Sequence, residues 1–546
     1  MLPILGLVWF AGGWDSYLKV TSQTLYWDVL ANTFELAALV TLFTLLVGYP
    51  VAYRARIAGR RLRIFIMVCA TIPMWTSLLA RSYAWISVLD RQGLVNSILV
   101  ALHLVDRPVR LLHTTGATLV SSMYIMLPLM ILTLYAQMSE IDLANLRAAR
   151  TLGARPTQAF VRIFLPLSIP GVVAGSLLTF IVSLGLFVTP ALLGAPQDRT
   201  FSMLIEQQVN IFGDFSLAAA LSIFLLAASL LVLWLFFRVT AAGRSPEPQG
   251  GSRHQEAKFL GPLATKILRR LSPILPILDS RISWNVFLAA VLIFLFLPLI
   301  TLIPMSLGSG TYLQFPPKGI SLRWYHALIE DPKWVSAGGH SLLVASLAAA
   351  IALLVGLMAA LGLREAGARR ARLAMILFLA PSLIPPMVYA LSAYASASAL
   401  GMDDTIFGLA LAHAVLALPF VVVICNTGLR EIGIGVERAA RSLGADWWAR
   451  LRRVTLPLLS RSLVVSGLVA FQTSFDEIVV ALFLSGVHTR TLPKAFWQAA
   501  ILEVTPVVPA AAVVVMLIGL LLAGLGLLII FLTQPAREAR RATRSF

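Results

Sequence analysis

The chain alternates long apolar runs with short basic segments along its whole length. A bilayer-crossing helix needs roughly 20 predominantly apolar residues. Runs of that kind predict spans at about 31–52, 64–88, 115–137, 169–190 and 215–238. A second series is predicted at about 285–307, 341–363, 372–398, 405–428, 463–484 and 508–533. The strands of a membrane barrel would alternate apolar with polar positions, and these runs are continuously apolar. The expected fold class is all-α and polytopic. Residues 1–13, MLPILGLVWFAGG, are apolar but too short to cross, and they lack the basic start and small-residue cleavage site of a signal peptide. By analogy with the span at 285–307, the first half is expected to have a truncated first helix.

Between the spans, one polar segment occurs twice. Glu140–Pro166 reads EIDLANLRAARTLGARPTQAFVRIFLP, and Glu431–Pro457 reads EIGIGVERAARSLGADWWARLRRVTLP. Gly153 aligns with Gly444, an offset of 291, and both copies contain A-A-R-x-L-G-A and leave through Leu-Pro. Small residues and a glycine let a short helix turn sharply and let another surface approach its backbone. The predicted element is a basic helix–Gly–helix with Arg147, Ala148, Ala149, Arg150 and Gly153 in one copy. The other copy holds Arg438, Ala439, Ala440, Arg441 and Gly444. A single basic loop would be unremarkable, but two in register over the whole segment are expected to form a docking surface. The duplication extends further: NTFELAALVTLFTLLVG from Asn32 pairs with HSLLVASLAAAIALLVG from His340 at an offset of 308, and Pro73 pairs with Pro381. The change of offset places extra residues of the first half in 89–114. Both repeats face one side, so the halves are related about an axis along the membrane normal. Expected boundaries are a first half at 1–238, a cytoplasmic linker at 239–283 that opens rich in Gly, Pro and charge and continues either as an amphipathic helix along the inner membrane surface or as an unstructured basic tether, and a second half at 284–546.

Charge sets the orientation. Of 43 Lys and Arg, 32 fall in loops 53–63, 138–168, 238–283, 364–372, 430–462 and 534–546, and 10 in the alternate loops. The positive-inside rule therefore puts the first set, with both repeats, in the cytoplasm. The net charge of +18 would suit nucleic acid, but its spread over short loops between spans does not form one binding face. Cys69 and Cys425 lie in apolar runs and imply no disulfide framework. His103, His113 and His413 show no metal spacing.

Asp476 and Glu477 stand in a predicted span, where an ionisable group usually marks a pathway. Either they line a route for a cation, or they pair with a neighbouring helix. The matching first-half positions, Gly185 and Leu186, are uncharged. Arg81 is expected to snorkel outward beside Trp85. Asp403 and Asp404 are expected to cap the helix that follows. No lysine is followed by Ser or Thr, so the chain has no G-x-x-x-x-G-K-[ST] phosphate loop.

The repeated segments resemble the EAA loop of permease subunits of bacterial ATP-binding-cassette importers. In that family this loop forms the coupling helix that docks on the ATPase. The motif's glutamate position holds Arg147 and Arg438 here, with Glu437 one residue earlier in the second copy only. VGYPVAY (47–53) and RSYAWISVLDRQGLVN (81–96) resemble the first permease of the spermidine/putrescine group. FPPKGISLRWYHALIEDP (315–332) and SFDEIVVALFLSG (474–486) resemble its second permease. The resemblance implies two fused permeases in a bacterial inner membrane, importing a small solute, foremost a polyamine, with ferric iron or thiamine as alternatives. It also implies two cytoplasmic ATPases that bind the ATP, an extracytoplasmic solute-binding protein, and no cofactor or covalent chemistry on this chain. An ATPase-independent secondary transporter is the alternative of a different class.

Overall fold

The computed structural model describes residues 6–7, 10–154, 156–242, 281–311, 314–502 and 506–532. The linker expectation at 239–283 and the amino-terminal expectation at 1–13 fall largely outside them. Among the described residues the protein is helical, with no strand beyond one isolated bridge, Gly308 to Ile320. Among the described residues nine helices are long and apolar enough to span a membrane, and counting each of two bent helix pairs as one span brings the number to 11. The sequence predicts the same eleven, but as unbroken spans.

The first half contains α1 (Thr24–Ile57), α2 (Arg60–Thr71), α3 (Leu78–Leu89), α4 (Thr115–Ser139), α5 (Ala144–Thr151), α6 (Leu165–Leu184), α7 (Val188–Leu193) and α8 (Phe215–Ala242). After α9 (Arg281–Ser306), the second half repeats them, together with the short first-half helix Phe201–Asn210, as α10 (Pro332–Glu365), α11 (Ala368–Leu379), α12 (Pro386–Ala399), α13 (Ile406–Ile432), α14 (Ile434–Ser442), α15 (Leu456–Phe475), α16 (Val479–Leu484), α17 (Leu492–Leu502) and α18 (Val507–Leu532). The duplication is visible at the helix ends: both ends of α1 and α10 differ by 308, and both ends of α6 and α15 by 291. The extra first-half residues lie between α3 and α4, where Leu94–Ala101 forms an additional short helix. Asn96 holds that excursion, donating to the carbonyls of Asp90 and Val109 at 3.0 Å each.

Two predicted spans are broken. Pro73 and Pro381 each sit in a tight 3₁₀ turn, Ile72–Trp75 and Ala380–Leu383, and the chain bends there by 99° and 100°. A proline contributes no N–H to the helix ladder and crowds the preceding turn, which weakens the helix where the chain bends. The apolar run continues through the turn, which is why hydropathy alone reads straight across it. A second pair of breaks separates α6 from α7 and α15 from α16, so the spans predicted at 169–190 and 463–484 also end early, at Leu184 and Phe475.

Small residues set how closely the spans pack. A Cβ at Gly356 of α10 would sit 2.5 Å from Val421 Cγ1 of α13, and one at Gly48 of α1 would sit 3.1 Å from Met130 Cγ of α4. Where α4 meets α6, Gly171 faces Gln137, and a Cβ there would lie 2.8 Å from Gln137 Cβ. In the second half the partners exchange roles: Gly428 faces Ser462, with a Cβ coming 2.2 Å from its Oγ. The halves interlock through aromatics: Trp85 against Phe294 at 5.5 Å, Phe215 stacked on Tyr394 at 5.1 Å, and Phe187 tilted against Trp497 at 4.8 Å.

Candidate functional site

The repeated polar segments fold alike in detail. In the first, α5 ends with the Ala154 N–H bonded to the Ala149 carbonyl and the Gly153 N–H to the Arg150 carbonyl, both at 3.0 Å. In the second, α14 ends with Ala445 bonded to Ala440 at 3.1 Å and Gly444 to Arg441 at 3.0 Å. Both are Schellman caps, which need a residue with left-handed backbone just past the helix. Gly153 and Gly444 supply it, at φ +87° and +83°. The A-A-R-x-L-G-A pattern is thus the sequence of a helix and its stop. The cap leaves Arg147, Ala148, Arg150 and Gly153 exposed, with Arg438, Ala439, Arg441 and Gly444 exposed in the second copy. Ala149 and Ala440 are partly buried at the base of each turn.

Two residues absent from the sequence-level reading complete this surface. Leu152 and Leu443 precede the glycines and are 88% and 89% exposed. An apolar side chain so presented, twice, with arginines around it, has the character of a docking knob. The leucines are visible in the repeated motif, but only the capped geometry turns them outward.

Past each glycine the chain re-enters the membrane through a widened π turn. In it the Leu165 N–H reaches the Phe160 carbonyl, and the Leu456 N–H reaches the Leu451 carbonyl. Pro166 and Pro457 follow at once, and a wider turn accommodates a ring that clashes with the carbonyl four residues back. The loops are fastened to the long helices by matching arginines, Arg56 and Arg364, at an offset of 308. Arg56 donates to the carbonyls of Met138 at 2.8 Å and Ile141 at 2.6 Å. Arg364 donates to the Gly433 carbonyl at 2.9 Å and forms an ion pair with Glu437 at 2.8 Å. The displaced glutamate therefore does make a salt bridge, within its own half.

The second site lies inside the helix bundle, where the breaks of the two halves meet. Asp476 closes α15, and its carboxylate accepts the Leu78 N–H, the first of α3, at 3.0 and 3.2 Å. Arg81, one turn into α3, is electrostatically coupled to the same carboxylate. Glu477 accepts the Val480 N–H at 3.0 Å and so caps α16. Both acids remain partly exposed, and among the described residues no cationic group lies within 4 Å of Glu477. Nearby, His413 Nδ1 meets Ser474 Oγ at 2.8 Å, while its Nε2 is buried with no partner among the described residues.

A family model answers to this architecture. The description "binding-protein-dependent transport system inner membrane component" matches residues 42–242 and again 352–533. The chain belongs to that family. It is a multi-pass inner-membrane permease of the ATP-binding-cassette importer class, with two permease domains in one polypeptide, which sets aside the secondary-transporter alternative. The permease is 33% identical over 226 residues to the spermidine/putrescine transport system permease protein PotB of Escherichia coli, covering 41% of this chain and 82% of the relative. It is 31% identical over 245 residues to PotC of Haemophilus influenzae, covering 45% of this chain and 95% of the relative. It is also 34% identical over 225 residues to the inner membrane ABC transporter permease protein YdcU of Escherichia coli, covering 39% of this chain and 70% of the relative.

Two expectations for the permease need correction. Arg81 does not snorkel: it is only 8% exposed, and its Nε is buried with no partner among the described residues. The bend before α3 turns that helix into the protein interior and carries Arg81 with it. Nor do Asp403 and Asp404 cap the next helix, because Thr405 does so, accepting the Gly408 N–H at 3.1 Å. Asp404 instead accepts from Gly486 N at 2.7 Å, Thr489 N at 3.1 Å and Thr489 Oγ1 at 2.6 Å, pinning the loop after α16. The corresponding first-half contact is made from the other side: Asp198, at the position of Thr489, accepts from Thr115 and Thr118 on α4 at 2.7 and 2.8 Å.

Proposed function

We propose that the permease forms the translocation pathway of a polyamine importer, from halves at 1–238 and 284–546 joined by a linker at 239–283. Two cytoplasmic ATPases dock on the repeated segments, and an extracytoplasmic binding protein delivers the solute. The observation that carries the ATPase reading is the pair of matching Schellman-capped helices, each presenting arginines around an exposed leucine. Movement of a docked ATPase reaches the spans through Arg56 and Arg364, which join each loop to the end of a long helix. Closure of the ATPases thus rocks one half against the other.

The cationic character of the solute is supported by the acidic pair, Glu477 foremost. A carboxylate at that depth is costly unless it faces water or a cation. Among the described residues Glu477 has no cationic partner within 4 Å. PotB and PotC are named for spermidine and putrescine transport, which is the same chemistry. The test is uptake by the full chain in proteoliposomes with its ATPase and binding protein. ATP-dependent accumulation of spermidine or putrescine is expected. Asp476→Asn with Glu477→Gln should weaken it without lowering the amount of permease in the membrane. Accumulation of ferric iron or thiamine in its place would replace the polyamine assignment.

A further inference from the structure

The contact between Asp476 and Leu78 has a counterpart across the pseudo-symmetry axis, and the two are built differently. Position 78 corresponds to 386, and position 476 to 185. Leu78 opens α3 and meets Asp476 of the other half; Pro386 opens α12 and meets Gly185 of the other half. The backbones agree closely. Ser77 and Pro385, which precede the two helices, have φ, ψ of −53°, 137° and −54°, 134°. Asp476 and Gly185, which close α15 and α6, have −93°, 0° and −89°, 3°. What differs is chemistry. Leu78 has an N–H, an orphan donor at the start of a half-helix in a water-poor interior, and it needs an acceptor. Pro386 has none. On the facing side, a Cβ at Gly185 would come 2.5 Å from Pro386 Cδ, so no side chain fits there.

We propose that Asp476 is a positioning residue: it satisfies and holds the first turn of α3 across the two halves, and so places Arg81. Glu477 is left as the carboxylate available to the solute, and this assignment rests on the cation reading above. The compensation explains the asymmetry of charge without a ligand. Donor with acid, and proline with glycine, are alternative solutions at one interhelical contact. Asp476 accepts the N–H that opens α3 and stands in the field of Arg81, whereas Glu477 meets only backbone N–H groups at the start of α16.

The experiment transplants the other half's solution. Purified full-length permease, reconstituted with its ATPase and binding protein, is compared as wild type, Asp476→Gly, Leu78→Pro and the double variant. Melting temperature and the KM and maximal rate of spermidine uptake are read for each. Both single variants should melt lower and transport more slowly. Leu78→Pro should be the worse, because it confronts the Asp476 Cβ with a proline ring. The double variant should recover melting temperature and maximal rate, with KM within about twofold of wild type, the non-additive signature of a paired contact.

A double variant no more stable than the worse single would overturn the pairing. Recovered melting with KM still raised about tenfold would overturn it too, by placing Asp476 against the solute. Should Leu78→Pro fail to reach the membrane, Asp476→Asn, which keeps an acceptor oxygen, must melt near wild type while Asp476→Leu does not. Equal losses in both would refute the cap. Glu477→Gln in the same assay separates the readings: an unchanged KM there removes the cation assignment and leaves the cap standing.

Discussion

Glu437 forms an ion pair with Arg364 at 2.8 Å, while at the corresponding first-half position Leu146 is buried in a cluster with Tyr53, Met138, Ile141 and Phe164. One repeated helix is held by charge and hydrogen bonds, the other by hydrophobic burial. Glu437 also accepts from Thr455 Oγ1 at 3.0 Å, in a second half where Thr455 replaces Phe164. With side chains 14% and 23% exposed, the pair is neither a surface contact nor a dry one. Its removal is expected to cost between the ~1 kcal/mol of a surface pair and the roughly 3–5 kcal/mol of a buried one. Glu437→Ala should therefore lower ATP-driven uptake and loosen the second loop to proteolysis. In the first half, Leu146→Ala should show the usual cavity loss, independent of salt. Loss of salt dependence in wild-type proteolysis of the second loop would count against an electrostatic fastening.

The capped glycines give a sharper test of ATPase docking. A side chain at φ +87° or +83° is strained by about 1–2 kcal/mol, and a bulky one would also cover the exposed arginines and leucine. Gly153→Trp and Gly444→Trp should abolish ATPase copurification and transport while membrane insertion continues, since neither glycine has an atom within 4 Å of a built Cβ. Leu152→Asp and Leu443→Asp should weaken copurification without altering the helix. Normal ATP-dependent uptake by the double tryptophan variant would sink the coupling role.

Packing between the long helices predicts an order of damage. Gly356→Ala forces a Cβ to 2.5 Å from the branched Val421, whereas Gly48→Ala meets flexible Met130 at 3.1 Å. Overpacking of that kind costs about 1–3 kcal/mol. The melting temperature should fall more for Gly356→Ala than for Gly48→Ala, and the reverse order would show that the second-half contact relaxes more easily than its geometry implies.

The outer loop after α16 should be acid-sensitive. Burial alone would raise the Asp404 pKa, but hydrogen bonds from Thr489, Gly486 and His488 outweigh it and hold the pKa below the ordinary aspartate value. A depressed carboxylate stabilises the fold above its unfolded pKa of about 3.9, and that contribution disappears as pH falls through the lower folded value. Protection factors at Gly486 and Thr489, which are exchange rates corrected for the intrinsic pH dependence, should thus stay high at neutral pH and fall once the pH drops below the usual aspartate range. Asp404→Asn should bring fast exchange already at neutral pH. Gly486→Ala should do the same, because a Cβ there would sit 2.3 Å from Asp404 Oδ2. Unaltered exchange in both variants would show that the loop is held elsewhere.

Much of this protein can be read from its chain, because a bilayer imposes rules that act locally. The hydrocarbon core demands apolar length for every span and places basic loops on one side, so eleven crossings and their orientation follow from composition along the sequence. The repeated capped helices were equally legible: a Schellman cap is made by neighbours in sequence, and A-A-R-x-L-G-A states it twice. What only the tertiary structure decided involves partners far apart in the chain. The breaks at Pro73 and Pro381 lie within uninterrupted apolar runs, so hydropathy passes over them, and the bends that follow carry Arg81 inward instead of toward the membrane surface. Asp404 reads as a cap for the next helix, yet it bonds to residues more than 80 positions later. Asp476 looks like an isolated acid in a span until Leu78, 398 residues earlier, is beside it with an N–H to satisfy. A backbone donor has no signature in sequence; whether it needs a carboxylate depends on which end of which half-helix the fold brings against it.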